Sequence, residues 1–267
     1  MAKASKENFP VALGVLPRRE RERLRAVYGF ARLVDDVGDE AAGDRLALLD
    51  ELEADLHRAY EGRAVHPLLQ RLTPLVRELD VPRELFLRLL EANRRDQETS
   101  CYPTFAELAD YCSLSATPVG ELVLIVFGAA TPERIRLSDR VCTALQLAEH
   151  WQDVGEDLER GRLYLPLEDL ARFGVDRASL PARRPTEAFR RLMAFEVERA
   201  RALLADGIPL VRSLRGWARL AVAAYVAGGL AALDAVERSG YDVLARSPRA
   251  GSARRAAALL HILREAR

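Results

Sequence analysis

The chain reads as an all-α protein, and three features of its sequence say so. Apolar residues recur at spacings of three and four through most of its length, the pattern of a single buried helical face. Alternating β-branched runs closed by Asn-Gly or Asp-Gly are absent, so nothing supports a sheet. Proline dipeptides punctuate the pattern where breaks between helices should fall: "HP" at 66–67, "VP" at 81–82, "TP" at 131–132 and "LP" at 165–166.

Taken in order, Val27, Phe30, Ala31 and Val34 lead at helical spacing into the acidic phrase "DDVGDE" at 35–40. Leu46, Leu49, Leu52, Leu56 and Tyr60 mark one face of a helix over 44–61, and Leu85, Leu89 and Ala92 mark another. "SATPVGELVL" predicts a helix from near Pro118, with Ala116 and Gly120 either lining a cavity or packing closely. A further helix carries "LQLAEHWQDVGEDLE", with Trp151 expected in the core and His150 either structural or placed to position water. "PARRPTE" at 181–187 is the expected loop, and Thr186 the N-cap of a helix facing inward through Phe189, Leu192, Phe195 and Ala202. The longest uncharged apolar run, "LAVAAYVAGGLAAL" at 220–233, falls short of the roughly 20 residues a membrane span takes. Its Gly228-Gly229 pair either opens room in a cavity wall or lets helices approach. The tail from Arg246 to Arg267 reads as an amphipathic helix, with contact to an anionic membrane as the other reading.

No long linker or low-complexity tract divides the 267 residues, so one domain is expected over 1–267, with a core over about 8–243 and a tail helix over 244–267. Forty basic residues balance forty acidic ones, which leaves no field to attract nucleic acid. Cys101, Cys112 and Cys142 form no CxxC pair and leave an odd count, as reduced thiols would. The four histidines lack zinc spacing, and the first ten residues lack a signal peptide's apolar core. The expected location is the cytoplasm, with peripheral contact at the inner face of the membrane left open.

The acidic phrases carry the chemistry. Asp35 and Asp39 stand at i and i+4 on one helical face, and Glu149, Asp153 and Asp157 form a ladder at i, i+4 and i+8, bordered by Gln146, Gln152 and Glu156. Stacked carboxylates repel and weaken a helix, and such pairs are ordinarily solvated. These recur in the most apolar helices of the chain with Arg32, Arg160 and Arg162 close by. Hard divalent cations would offset the repulsion, since magnesium takes oxygen ligands and bridges one or two carboxylates to substrate phosphate.

"YGFARLVDDVGDE" and "LQLAEHWQDVGEDLERGRLYLP", with "YCSLSATPVG" at 111–120, resemble the aspartate-rich regions and landmarks of the squalene and phytoene synthase family, from about Asn8 to about Val243. The resemblance implies an all-α isoprenoid synthase fold around a central apolar cavity, and an isoprenoid diphosphate as substrate. It implies several Mg2+ ions held by Asp35, Asp39, Glu149, Asp153 and Asp157. Arg32, Gln146, Gln152 and Arg162 would contact the diphosphate, and Tyr111, Tyr164 and Arg32 would serve the reaction itself. Carotenoid-type members carry Asn-x-x-Arg-Asp where this chain reads Glu149-His150-Trp151-Gln152-Asp153. That form, and the leader "ENFPVALGVLPRR", are more similar to the bacterial hopanoid-pathway hydroxysqualene synthases. These open presqualene diphosphate, quench the cation with water and need no NADPH, in line with the lack of a Gly-rich phosphate loop here. The implied partners are a presqualene diphosphate synthase upstream and a reductase downstream. Two rival readings stand beside this one: a head-to-head condensing synthase of the squalene, dehydrosqualene or phytoene type, and a non-catalytic helical assembly factor of the same fold.

Overall fold

The computed structural model describes residues 16–266. The leader residues 7–15, which carry part of the resemblance, and Arg267 lie outside the described residues. The secondary structure described is helical: α1 Arg18–Glu40, α2 Arg45–Tyr60, α3 Pro67–Glu78, α4 Glu84–Glu98, α5 Phe105–Ser115, α6 Thr117–Val126, α7 Pro132–Glu159, α8 Leu167–Phe173, α9 Glu187–Ser213, α10 Gly216–Arg238 and α11 Ser252–Glu265, with a 3-10 turn at Arg177–Ala182. Among the described residues, β pairing is limited to one isolated bridge between Cys101 and Leu163.

The helix starts follow the punctuation. Asp44 caps α2 by accepting from the Ala47 N–H, and Thr186 caps α9 by accepting from the Phe189 N–H. His66 caps α3, whose first residue is Pro67, and α7 begins at Pro132. The loop at 181–187 is partly ordered, since the 3-10 turn takes in Pro181 and Ala182. In α9 the buried stripe runs through Phe189, Leu192, Val197, Ala200 and Leu204, whereas the expected Ala202 is exposed. Thirteen positions at 100° each carry Ala202 round to the far side from Phe189, so the face needed Ala200 instead.

The fold divides into two compact units. The first comprises residues 16–99 and 113–135 and holds α1 to α4 and α6. Its core is apolar, with Phe30 and Phe86 edge to face at 5.0 Å. Asp55 is buried on α2, where burial pushes its carboxyl up. The N–H groups of His66 and Val65, with Arg58, outweigh that and leave it below the ordinary range. Leu46, by contrast, stays 39% exposed at the end of the α2 face. A groove of about 620 Å³ runs along α1 and α2, lined by Leu33, Val37, Leu52 and Val65 among others; none of the candidate site residues lines it.

The second unit comprises residues 100–112 and 136–266. Around the Cys101–Leu163 bridge, Leu163 N donates to Ser100 O at 2.8 Å and Leu167 N to Tyr102 O at 3.0 Å. That pairing lays Tyr102 alongside Tyr164. Trp151 is fully buried and donates to the Glu196 carbonyl, as expected of a core residue. A Cβ at Gly229 would meet Leu145 at 2.5 Å, so this glycine serves close helix packing. Two helical stretches, Phe105–Val126 and Gly216–Arg238, are long and apolar enough to cross a membrane by length and composition. The second is two-thirds buried, as a core helix would be. The tail forms α11, which buries Ile262 and has its last carbonyls capped by Arg212 and Arg219.

Candidate active site

The first acidic phrase closes α1. Arg32 lies one turn before it, 3.8 Å from Asp35 and 3.3 Å from Asp36. Asn93 of α4 donates to Asp35 at 3.3 Å, and Gln97 donates to the Gly38 carbonyl at 3.0 Å. Gly38 makes this possible, because a Cβ there would fall 2.2 Å from the Asn93 amide oxygen. Burial raises the Asp35 carboxyl to about 6 against the pull of Asn93 and Arg32, and the negative charges of Asp39 and Asp36 add to the rise. Its side chain nonetheless keeps 49% of its surface open to solvent. Asp39 is exposed on the same face.

The second phrase closes α7 in the other unit. Asp157 is raised to about 7, first by burial and then by the charge of Asp153, against Arg160 and Arg162. Asp153 is raised too, by burial, while Arg249 and Ser247 hold it down. Arg249 Nη2 reaches both Asp153 oxygens, at 3.0 and 3.2 Å. Glu149 is half-buried one turn earlier. Gln152 has no accessible surface and donates its amide to the Pro248 carbonyl, so in this structure it braces the chain instead of presenting itself to a ligand.

Beside this ladder stands an aromatic cluster. The His150 and Tyr164 rings stack with centroids 3.7 Å apart, and Tyr111 lies 5.7 Å from Tyr164 and 6.2 Å from His150. Tyr102 completes it at 5.4 Å from Tyr111 and 6.0 Å from Tyr164. Gln146 Nε2 and His150 Nε2 are 3.1 Å apart. Burial, helped by the charge of Arg162, lowers His150 to about 3, so the ring is neutral. The structure thus brings Tyr111, Tyr164, Gln146 and Arg162 together around α7.

Sequence reasoning missed Asn93, Tyr102, Ser247 and Arg249. Asn93 carried a signal: it follows Leu89 by four positions, a polar residue in an apolar stripe. Tyr102 and Arg249 carried none, because they arrive through tertiary pairing. Among the described residues, no three His, Cys, Asp or Glu side chains converge closely enough to hold an ion alone. The donors in each unit still fit magnesium by their chemistry: hard carboxylate oxygens, those of Asp35 in one and Asp157 in the other, that burial makes costly to ionise.

An all-α chain with acidic phrases closing two of its helices has the make-up of an isoprenoid synthase of the terpenoid type. The chain belongs to the squalene/phytoene synthase family, whose model matches residues 2–256. It is 35% identical to a phytoene synthase of Thermus thermophilus over 91% of this chain and 83% of that one. It is 34% identical to a hydroxysqualene synthase of Rhodopseudomonas palustris over 79% of this chain and 72% of the relative. Among solved structures it matches a squalene synthase HpnC from Alicyclobacillus acidocaldarius at 46% identity and a TM-score of 0.84, covering 89% of this chain and 91% of that one.

Proposed function

We propose that the chain is a magnesium-dependent hydroxysqualene synthase, converting presqualene diphosphate and water to hydroxysqualene and diphosphate. The observation that carries this reading is the 46% identity to the squalene synthase HpnC over nearly the whole of both chains. Asp35 and Asp39, with Glu149, Asp153 and Asp157, would hold the metal. Bound there, Mg2+ supplies charge neutralisation to the departing diphosphate. Arg32 and Arg162 add positive charge for the same group.

The aromatic cluster gives the cation a wall. Tyr102, Tyr111 and Tyr164 offer π faces that favour positive charge. His150 stays uncharged in that wall, so it does not repel a carbocation as an imidazolium would. Gln146, in contact with the His150 ring, fixes its orientation. The surrounding apolar side chains limit the water that can reach the cation.

The head-to-head condensing reading keeps one specific support, the 35% identity to a phytoene synthase over 91% of this chain. A product assay separates the two. Purified protein with Mg2+ and no reductant should turn presqualene diphosphate into hydroxysqualene and leave farnesyl diphosphate largely unused. Consumption of farnesyl diphosphate would move the enzyme to the condensing branch. Location in the cytoplasm, at or near the membrane from which so apolar a substrate would come, belongs to the same proposal.

A further inference from the structure

The segment after α10 crosses α7 on its acidic side. Gly155 N donates to Val243 O at 3.1 Å, and a Cβ at 155 would lie 2.3 Å from the Leu244 carbonyl oxygen. Ser247 donates to Glu156 at 2.6 Å, and Gln152 donates to Pro248. The result is that the Arg249 guanidinium is set on both oxygens of Asp153.

We propose that Arg249 is a resident counter-ion of Asp153, which a divalent cation must displace, so that residues 243–249 act as a strap tuning metal loading. The inference rests on the reading of Asp153 as a metal ligand. One guanidinium nitrogen faces both oxygens of Asp153 at about 3 Å and so occupies the side from which a cation, at about 2.1 Å from its ligands, would be chelated by the pair. Two positive charges on one carboxylate also repel. Val243 and Leu244 are buried and fix one end of the strap, whereas Arg249 is 41% exposed near the other, two residues before the N-cap of α11. Arg249 can therefore swing away while the strap's anchor stays in place. A part-exposed ion pair is weak, which makes the contact a modulator of metal affinity and not a block. Once released, the guanidinium is free to meet the negative charge of the diphosphate.

The test is Mn2+ binding followed by electron paramagnetic resonance at pH 8, with and without inorganic diphosphate. It compares the intact protein with Arg249→Gln, Arg249→Lys and Asp153→Asn. Arg249→Gln should bind Mn2+ roughly two- to fivefold more tightly, the range expected for removing such a competing pair. Arg249→Lys should stay near the parent, and Mn2+ should raise hydrogen exchange over 245–250 in the parent. Unchanged affinity in Arg249→Gln, with binding weakened in Asp153→Asn, would overturn the counter-ion role and leave the metal reading standing. Unchanged binding in Asp153→Asn would overturn both.

Discussion

At the scale of single residues, the two acidic phrases share a glycine for a shared physical reason. Gly38 admits the side chain of Asn93, and Gly155 admits the backbone of the strap; each visitor brings a polar group to the neighbouring aspartate. The visitors differ in how far they can yield. Gly155→Ala places its Cβ against a carbonyl of buried chain, so it should cost about 1–3 kcal/mol in chemical denaturation. Gly38→Ala meets the far end of a side chain and should cost less; equal losses would mean that the strap is looser than its contacts suggest. The aspartates themselves should trade stability for function. Asp157→Asn removes a carboxylate that burial disfavours, so in metal-free buffer at pH 8 its melting temperature should match or exceed the parent's, while turnover is lost. Near-normal turnover in that variant, or in Asp35→Ala, would remove these residues from the metal site.

At the scale of elements, α8 and α9 are joined by a cluster the sequence concealed. Glu196 and Asp169 are buried, and Arg199 reaches both, at 3.1 Å and 2.8 Å. The same guanidinium lies over the rings of Phe105 and Phe195 at 4.1 and 4.5 Å. Above pH 8, where Glu196 is ionised, Arg199→Met should destabilise by about 3–5 kcal/mol, because it strands buried carboxylates, and Glu196→Gln in that background should recover part of the loss. Additive losses in the double variant would argue against a shared charge cluster. The helices themselves were legible, since Thr186 and the proline dipeptides act locally and act where expected. The acidic ladders were legible for the same reason: i, i+4 spacing needs only a helix. Arg249, Tyr102 and the Glu196 cluster were not, because each depends on which distant segment folds against α7 or α9. Ala202 was misjudged because consecutive apolar positions were followed further than 3.6 residues per turn allows.

At the scale of the whole molecule, these buried groups set how stability follows pH. Glu196 is raised to about 8 by burial first and by Asp169, Asp157 to about 7 and Asp35 to about 6. Each folded carboxyl holds its proton above the pH at which the unfolded chain releases it. Such a group contributes stability below its unfolded pKa, and that contribution is lost as pH rises through the folded value. His150 works the other way, lowered to about 3 from 6.5, so its contribution is complete above 6.5 and falls away in acid. Asp55, held below its ordinary value, likewise contributes above that value and is lost only in strong acid. Between pH 4 and 6.5 the raised acids and His150 therefore oppose one another. From 6.5 to 8 only the raised acids titrate, so the melting temperature in chelator should fall steadily across that interval. Glu196→Gln should remove the upper part of the fall. Saturating Mg2+ should remove the part owed to Asp157, because a bound cation favours the ionised carboxylate it touches. The remaining slope in Mg2+ would then belong to Glu196. A fall that is the same in chelator and in Mg2+ would mean that no cation reaches Asp157, and the second acidic ladder would lose its assigned role.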